Sequence, residues 1–485
     1  MYTLTPQIDP LIKDLLSNTE LLTSLVGGGG SPLNIVLPQK MADNIQTFKQ
    51  TLQKHQLQGQ LFYAHKANKS QALVKQAYFE KIGVDVASEQ ELLDALAAGF
   101  RGKQIEVTGP KNQRFLLLAI QQSCLIQVDN ISELKDIVRL HQKLELEEPV
   151  RILIRFCGFK ASGTKIAARD SRFGIPLSSA DEVRKFLLAH QMMLKLEGFS
   201  FHLDANTTKE KAIAAENLIE LEESFQQSGL ETQTFNLGGG YKINYLASEK
   251  DWNQFLGVLQ QAALGDISAV TWNNSNYGLR VENGAVRGNP NFYEYYNSAA
   301  GAGYLDQILS SKLSGHDDLK VGQYFSEAMK NVIIEPGRSL LDQVGITVAQ
   351  VNFIKHSANG EILVGLDMNR SNLASTDQEM MLDPVVISHR KQDASIKKEK
   401  VGVYFVGNLC LESDFIYKHK TFLDQLPEAG DLVVFINTAA YNMDFTESAT
   451  IQQKIAKKIA VIKQKDQFYW FEDDKYNPFF WEENR

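Results

Sequence analysis

The chain alternates short apolar runs with longer stretches in which apolar residues recur at helical spacing. β-rich runs stand at 61–65, 83–86, 104–108, 125–129, 151–156, 198–203, 234–237 and 331–334. Helical segments separate most of them, a rhythm that predicts an α/β protein with a parallel sheet. Eight strand–helix units over about 275 residues match a (β/α)8 TIM-like barrel, whose usual size is about 250 residues. A doubly wound open sheet is the competing arrangement. Ser88-Glu-Gln-Glu91 and Thr207-Thr-Lys-Glu210 read as capping boxes that start two of the helices, and Gly99 reads as a helix end.

Residues 1–39 read as an amphipathic helix ended by the Gly27-Gly-Gly-Gly30 run, then an extended piece, both expected to join a β-domain. The barrel is expected over 40–340. It carries an insertion around 265–328, rich in Asn, Tyr and Gly, of the kind that often forms a lid or binding loop. Beyond 340 the runs 344–353, 362–367, 401–406 and 432–436 follow one another without long helices. A mostly antiparallel β-domain over 341–485 is the expectation.

A formal charge of -8 gives no electrostatic reason for nucleic-acid binding. Cys124, Cys157 and Cys410 are too few and scattered for a disulfide framework or a thiolate metal site, so no metal is expected. The start lacks a signal peptide's apolar core, and no apolar run reaches the roughly 18–20 residues that span a bilayer. A cytoplasmic protein without membrane contact is expected.

Barrel enzymes keep their chemistry at the C-terminal ends of the strands. There the chain places Lys66, Asp85, Arg155, His202, Gly238-Gly-Gly240 and Glu335-Pro-Gly-Arg338. Each type has a use around pyridoxal phosphate. A lysine amine forms the Schiff base. Successive glycines let backbone N–H groups approach a phosphate. An arginine adds bidentate bonds to it, and a carboxylate keeps the pyridine nitrogen protonated. Taken singly, each has a plainer reading: a solvated lysine, a satisfied core histidine, a tight turn, a structural Glu–Arg pair.

At these residues the chain resembles the fold-type III pyridoxal-phosphate decarboxylases, the ornithine, arginine and diaminopimelate decarboxylase family, related in barrel fold to alanine racemase. The resemblance runs through Tyr63-Ala-His-Lys-Ala-Asn68, Gly83-Val-Asp-Val-Ala-Ser88, Ser171-Arg-Phe-Gly174, Gly238-Gly-Gly240, Glu335-Pro-Gly-Arg338, Gly407-Asn-Leu-Cys410, Asp414 and Ala440-Tyr-Asn442. It implies that Lys66 carries the cofactor and that His202 stacks on its ring. Glu335 would pair with the pyridine nitrogen. Gly238, Gly239, Gly240, Gly337, Arg338 and Tyr441 would surround the phosphate, with Asp85 and Arg155 as supports. It also implies a homodimer with a shared site, into which the second subunit brings Cys410 as proton donor and Asp414 and Glu412 as substrate contacts.

The chain departs from the family in three places. Leu203-Asp-Ala-Asn206 stands where a glycine and a phosphate-binding serine are usual, Leu411 replaces an acidic residue after Cys410, and the segment from Asp367 to Arg390 lacks the usual Arg-Pro and Tyr. The expected function is decarboxylation of an amino acid, a diamino acid or a bulkier conjugate. A racemase or epimerase, and a non-catalytic pyridoxal-phosphate protein, are the alternatives. Glu335 and Cys410 favour decarboxylation, since alanine racemases place an arginine and a tyrosine at the corresponding positions.

Overall fold

The computed structural model describes residues 1–159, 171–204, 207–314, 318–374, 380–388, 399–444, 452–453 and 455–481. The chain divides into two compact units. One comprises Met41–Lys242, Ala299–Leu340 and Tyr476–Arg485; the other comprises Met1–Lys40, Ile243–Ser298 and Leu341–Lys475.

The first unit is the closed barrel that the alternation predicts. Its parallel strands are Gln58–Ala64, Gly83–Val86, Ile105–Val107, Leu125–Val128, Val150–Cys157, Leu194–Ser200, Thr234–Asn236 and Asn331–Ile334. Each pairs with the next, and Asn331–Ile334 closes the ring against Gln58–Ala64. Inside, Phe62, Leu125, Leu153 and Ile333 form an apolar plug. Side chains two residues further along a strand point the same way. Gln127 and Glu335 therefore begin a polar layer directly above Leu125 and Ile333.

Helices follow the strands where the caps predict. The Ser88 hydroxyl accepts the Glu91 N–H at 3.2 Å to start Glu89–Ala98, and Gly99, at φ 113°, ends it. Thr207 and Glu210 make the reciprocal box that opens Thr208–Gln226. The segment after Tyr476 also belongs to the barrel unit, beyond the limit expected at 340. Tyr476 Oη donates to Gln76 Oε1 at 2.7 Å, and the Phe479 ring meets Phe79 edge-on at 4.9 Å.

In the second unit Gly345–His356 runs antiparallel to Leu33–Val36, Ile362–Leu366 and Leu432–Ile436 within a nine-stranded sheet. Leu33–Val36 pairs on its other side, in parallel, with Lys457–Gln464. The single amphipathic helix expected at the start is two, Pro10–Ser17 and Thr19–Gly29. They divide at Asn18, whose side chain caps the second by accepting the Leu21 N–H. The glycine run does not end that helix until Gly30, at φ 92°. Leu15, Leu22, Leu25 and Val26 bury their faces with Ile346, Val348 and Val434 of the sheet.

The stretch read as a barrel insertion divides between the units. Ile243–Ser298 groups with the sheet, whereas Gly301–Leu309 and Val321–Glu327 belong to the barrel unit. The reason is apolar area. Tyr245, Trp252, Phe255, Tyr277 and Tyr295 share one buried cluster with Val364, Phe405, Tyr417 and Phe435. Burying several aromatics of 150–250 Å² each needs a broad apolar face, which the sheet supplies.

Candidate active site

Lys66 lies in the one-turn 3-10 segment His65–Ala67 that follows the first barrel strand. The turn is pinned at Asn68, whose carbonyl accepts the Tyr63 hydroxyl at 3.0 Å and faces His65 Nδ1 at 3.1 Å. Lys66 Nζ stands 3.4 Å from Asp85 Oδ2, at the end of the second strand. Asp85 is 1% exposed and also accepts the Thr108 hydroxyl. Burial pushes its carboxyl up to about 6, with Lys66 opposing the rise and Glu335 adding to it.

Glu335, 2% exposed, follows the last strand at the same rim. Its Oε1 accepts Asn236 Nδ2 at 2.6 Å and Gln127 Nε2 at 3.0 Å, and its Oε2 lies 3.6 Å from His202 Nδ1. Burial opposes its charge. Lys66 and the Asn236 amide oppose burial and hold the carboxyl down at about 2. His202 Nδ1 accepts the Gly239 N–H at 3.2 Å, a role for a ring nitrogen without a proton. Burial lowers this imidazole to about 4, in keeping with a neutral ring.

A second carboxyl accompanies Glu335. Glu106, fully buried on the third strand, accepts from the same two amides, Gln127 Nε2 at 3.1 Å and Asn236 Nδ2 at 2.8 Å. Burial first, then the charges of Glu335 and Asp85, raises Glu106 well above the usual carboxylate range. Its Oε2 is buried without a hydrogen-bond partner, tolerable for a protonated carboxyl and costly for an ionised one.

The glycine triplet closes the rim between His202 and Glu335. A Cβ at Gly238 would lie 2.3 Å from Phe201 O, at Gly239 2.5 Å from Glu335 O, and at Gly240 2.7 Å from Leu203 O. Gly238 and Gly240 also have φ of 65° and 76°, a region that side chains disfavour. Of the three N–H groups, that of Gly238 donates to Asn236 Oδ1 at 2.8 Å and that of Gly239 to His202. Among the described residues the Gly240 N–H alone is left open, so the expectation of three phosphate-facing amides narrows to one. Arg338 is half-buried in the turn after Glu335 and Gly337. Arg155 ends the fifth strand, 3.7 Å from Asp129 and 5.0 Å above the Phe173 ring, in a supporting position.

Residues 39–284 match the model of the pyridoxal-dependent decarboxylases, pyridoxal binding domain, which is more than half of the 485-residue chain. The chain belongs to that family. An uncharacterized protein of Sinorhizobium fredii, y4yA, is 27% identical, over 96% of this chain and 95% of its own. Diaminopimelate decarboxylase of Staphylococcus aureus is 22% identical, over 89% of each chain. In fold, the chain matches diaminopimelate decarboxylase from M. jannaschii, solved with L-lysine. That TM-score is 0.69 at 19% identity, covering 93% of this chain and 91% of the other. The arginine decarboxylase of Paramecium bursaria Chlorella virus matches with a TM-score of 0.63 at 15% identity, covering 92% and 99%.

The protein is thus a pyridoxal-phosphate-dependent amino-acid decarboxylase, and the barrel rim suits that cofactor. It offers a lysine amine beside a carboxylate, a buried anion for the pyridine nitrogen, and a glycine cradle that any Cβ would fill. No helix among the described residues is long and apolar enough to cross a membrane, and none of them forms a group of metal-ligating side chains.

The remaining residues expected in the decarboxylase's site lie in the sheet unit. Cys410 and Glu412 are exposed in the turn after Val401–Val406. Asp414 is 4% exposed, and its carboxylate accepts the N–H groups of Arg370 and Leu409, both at 2.8 Å. That anchoring shapes the Cys410 turn. Tyr441 follows Leu432–Ile436 at φ 65°, a conformation uncommon for an aromatic residue. Such an outlier fits a side chain aimed by function. Ala205 and Asn206, in the segment that departs from the family pattern, lie outside the described residues.

Inspection of motifs alone missed Glu106, Gln127, Asn236 and Lys211. For Gln127 the available signal was polarity two residues beyond the plug residue Leu125; for Glu106 and Asn236 it was a polar residue inside a short strand run. For Lys211 it was a lysine in register with the buried face of Thr208–Gln226, formed by Ala215, Leu218, Glu222 and Phe225.

Proposed function

We propose that the protein decarboxylates an amino acid at the barrel rim, with Lys66 holding the cofactor covalently and Cys410 delivering the proton that replaces the departing carboxylate. The observation that carries this reading is the buried, ionised Glu335 on the same rim as Lys66. When bound, pyridoxal phosphate supplies a protonated ring that accepts the electron pair left at the α-carbon.

The chain's own groups divide the remaining tasks. Glu335, held low by Lys66 and two amides, keeps a proton on the pyridine nitrogen. Asp85 stabilises the Lys66 ammonium whenever substrate displaces that amine. His202, neutral and fixed through Nδ1 by Gly239, lies against the ring without competing for Glu335's charge. The Gly240 N–H, Gly337 and Arg338 bind the phosphate, and Arg155 buttresses the rim through Asp129.

Cys410 and Glu412 act from a second copy of the chain in a cytoplasmic homodimer, with Asp414 positioning their turn through its two backbone bonds. A thiol donor placed opposite a carboxylate-paired ring favours carbon dioxide loss over racemisation. The diaminopimelate and arginine decarboxylases among the relatives support an amino acid with a distal polar group as substrate. Leu411 favours one bulkier or less basic than a free diamino acid.

The test is Lys66→Ala. Wild-type protein with pyridoxal phosphate should absorb in the visible and release carbon dioxide from at least one amino acid of a broad panel. The variant should lose the absorbance and at least about 1000-fold in turnover, the order expected for a covalent catalytic group. Full turnover by the variant would end the reading.

A further inference from the structure

Lys211 lies in the first turns of the helix Thr208–Gln226 and is 0% exposed. A lysine is poorly placed there on two counts. Its charge faces the positive end of the helix dipole, and a buried ammonium is costly unless its charge is used. Burial lowers it to about 8, with Asp204 and Glu335 pulling the other way. No carboxylate bonds it among the described residues. Its Nζ donates instead to the carbonyl of Gly239 at 2.5 Å, with the Phe201 and Tyr241 rings 5.6 and 5.2 Å from the ammonium.

The bond falls on a telling peptide. The Gly239 carbonyl and the Gly240 N–H belong to one amide, and the Gly240 N–H is the single open donor of the triplet. A cation on a carbonyl polarises the whole amide and strengthens its N–H as a donor. The same cation adds positive potential behind a loop that would otherwise meet a dianion with Asp204 close by.

We infer that Lys211 is a positioning residue for the cofactor's phosphate: clamped to the Gly239 carbonyl from behind the glycine loop, it aims and charges the Gly240 N–H. The inference rests on the pyridoxal-phosphate reading of the site. It specifies that Lys211 acts on the phosphate end of the cofactor and not on its ring.

The experiment compares pyridoxal phosphate with pyridoxal, which lacks the phosphate, binding to the cofactor-free full-length protein, read by absorbance and fluorescence titration. Lys211→Met keeps the length of the side chain and removes the charge. It should weaken pyridoxal phosphate by about tenfold or more and leave pyridoxal within about twofold. The melting temperature of the cofactor-free variant should stay level or rise, because a buried unpaired charge is gone. Wild type supplies a second readout that needs no variant. The ratio of the two affinities should fall as pH rises past about 8, because the ammonium that favours the phosphate is lost. Lys211→Met should abolish that pH dependence.

Equal losses for both ligands, or a wild-type ratio flat between pH 7 and pH 10, would overturn the inference while leaving the cofactor assignment in place. A wild type that took up neither ligand would overturn both.

Discussion

Glu106 and Glu335 share their hydrogen-bond donors: Gln127 and Asn236 each give one amide nitrogen to both carboxyls, at 2.6 to 3.1 Å. Two carboxylates this close in a buried layer cannot both ionise cheaply. The sharing fixes which one does. Glu335 has Lys66 in addition to the amides and stays anionic, whereas Glu106 has an unpartnered Oε2 and keeps its proton.

The first prediction follows from that division. Glu106→Gln replaces a neutral acid with a neutral amide of the same shape and should leave cofactor affinity within about threefold of wild type. Glu106→Leu also removes the acceptor, so one hydrogen on each of the Gln127 and Asn236 amides loses its partner. A stability loss of about 1–3 kcal/mol is expected. Denaturant melts of the cofactor-free proteins measure the difference. A Gln variant as unstable as the Leu variant would show Glu106 to be ionised.

Asp85 yields a pH prediction. Its folded-state carboxyl stands near 6, above the ordinary value of 3.8. The folded protein therefore binds more protons than the unfolded chain between those values. Linkage then requires this group's contribution to fall as pH rises from about 4 to about 6. Glu335 has the opposite sign, since its carboxyl stands near 2 against 4.5; its contribution is present above 4.5 and lost as pH falls toward 2. Replacing Asp85 with Asn should flatten the decline between pH 4 and pH 6 by up to about 2 kcal/mol in the cofactor-free protein. Chemical denaturation across that range tests it, and an unchanged slope would refute it.

Cys410 carries a prediction about the proton. With Cys410→Ala, turnover to the amine should fall by about 100-fold, the usual size of a lost general acid, while affinity for pyridoxal phosphate stays within about twofold. Reaction in deuterium oxide followed by mass analysis of the amine reports how the proton arrives. An unchanged rate of amine formation would remove Cys410 from the mechanism.

Gly239→Ala tests the cradle. The added Cβ would sit 2.5 Å from the Glu335 carbonyl and 3.1 Å from His202 Cε1. The strand ends must then part, at a cost of about 1–3 kcal/mol, and cofactor affinity should drop at least about tenfold. Thermal melts and cofactor titration together measure this. Wild-type values in both would show that the loop has slack.

The barrel was legible because period-two apolar runs and capping residues are local signals. Lys66, Asp85, His202 and Glu335 were legible because barrels gather strand-end residues on one rim, whatever the details of packing. Glu106, Gln127 and Asn236 were not, since an inward polar side chain looks the same in sequence as an outward one until the register of neighbouring strands is known. Lys211 was hidden for a related reason. It reads as one more charge in Thr-Lys-Glu-Lys, and only the helix's rotation buries it. The insertion misled because domain membership is decided by which surface has room for Trp252, Phe255 and Tyr295, a property of the distant sheet.

The Leu33–Val36 strand lies between Gly345–His356 and Lys457–Gln464. During synthesis, this strand leaves the ribosome more than 400 residues ahead of Lys457–Gln464, one of the two strands that flank it. The barrel's ring of strands needs no such delay, because its closing strand ends at Ile334. Nascent chains arrested shortly after that strand clears the exit tunnel should already resist protease across the ring of strands, while residues 1–40 are still cut.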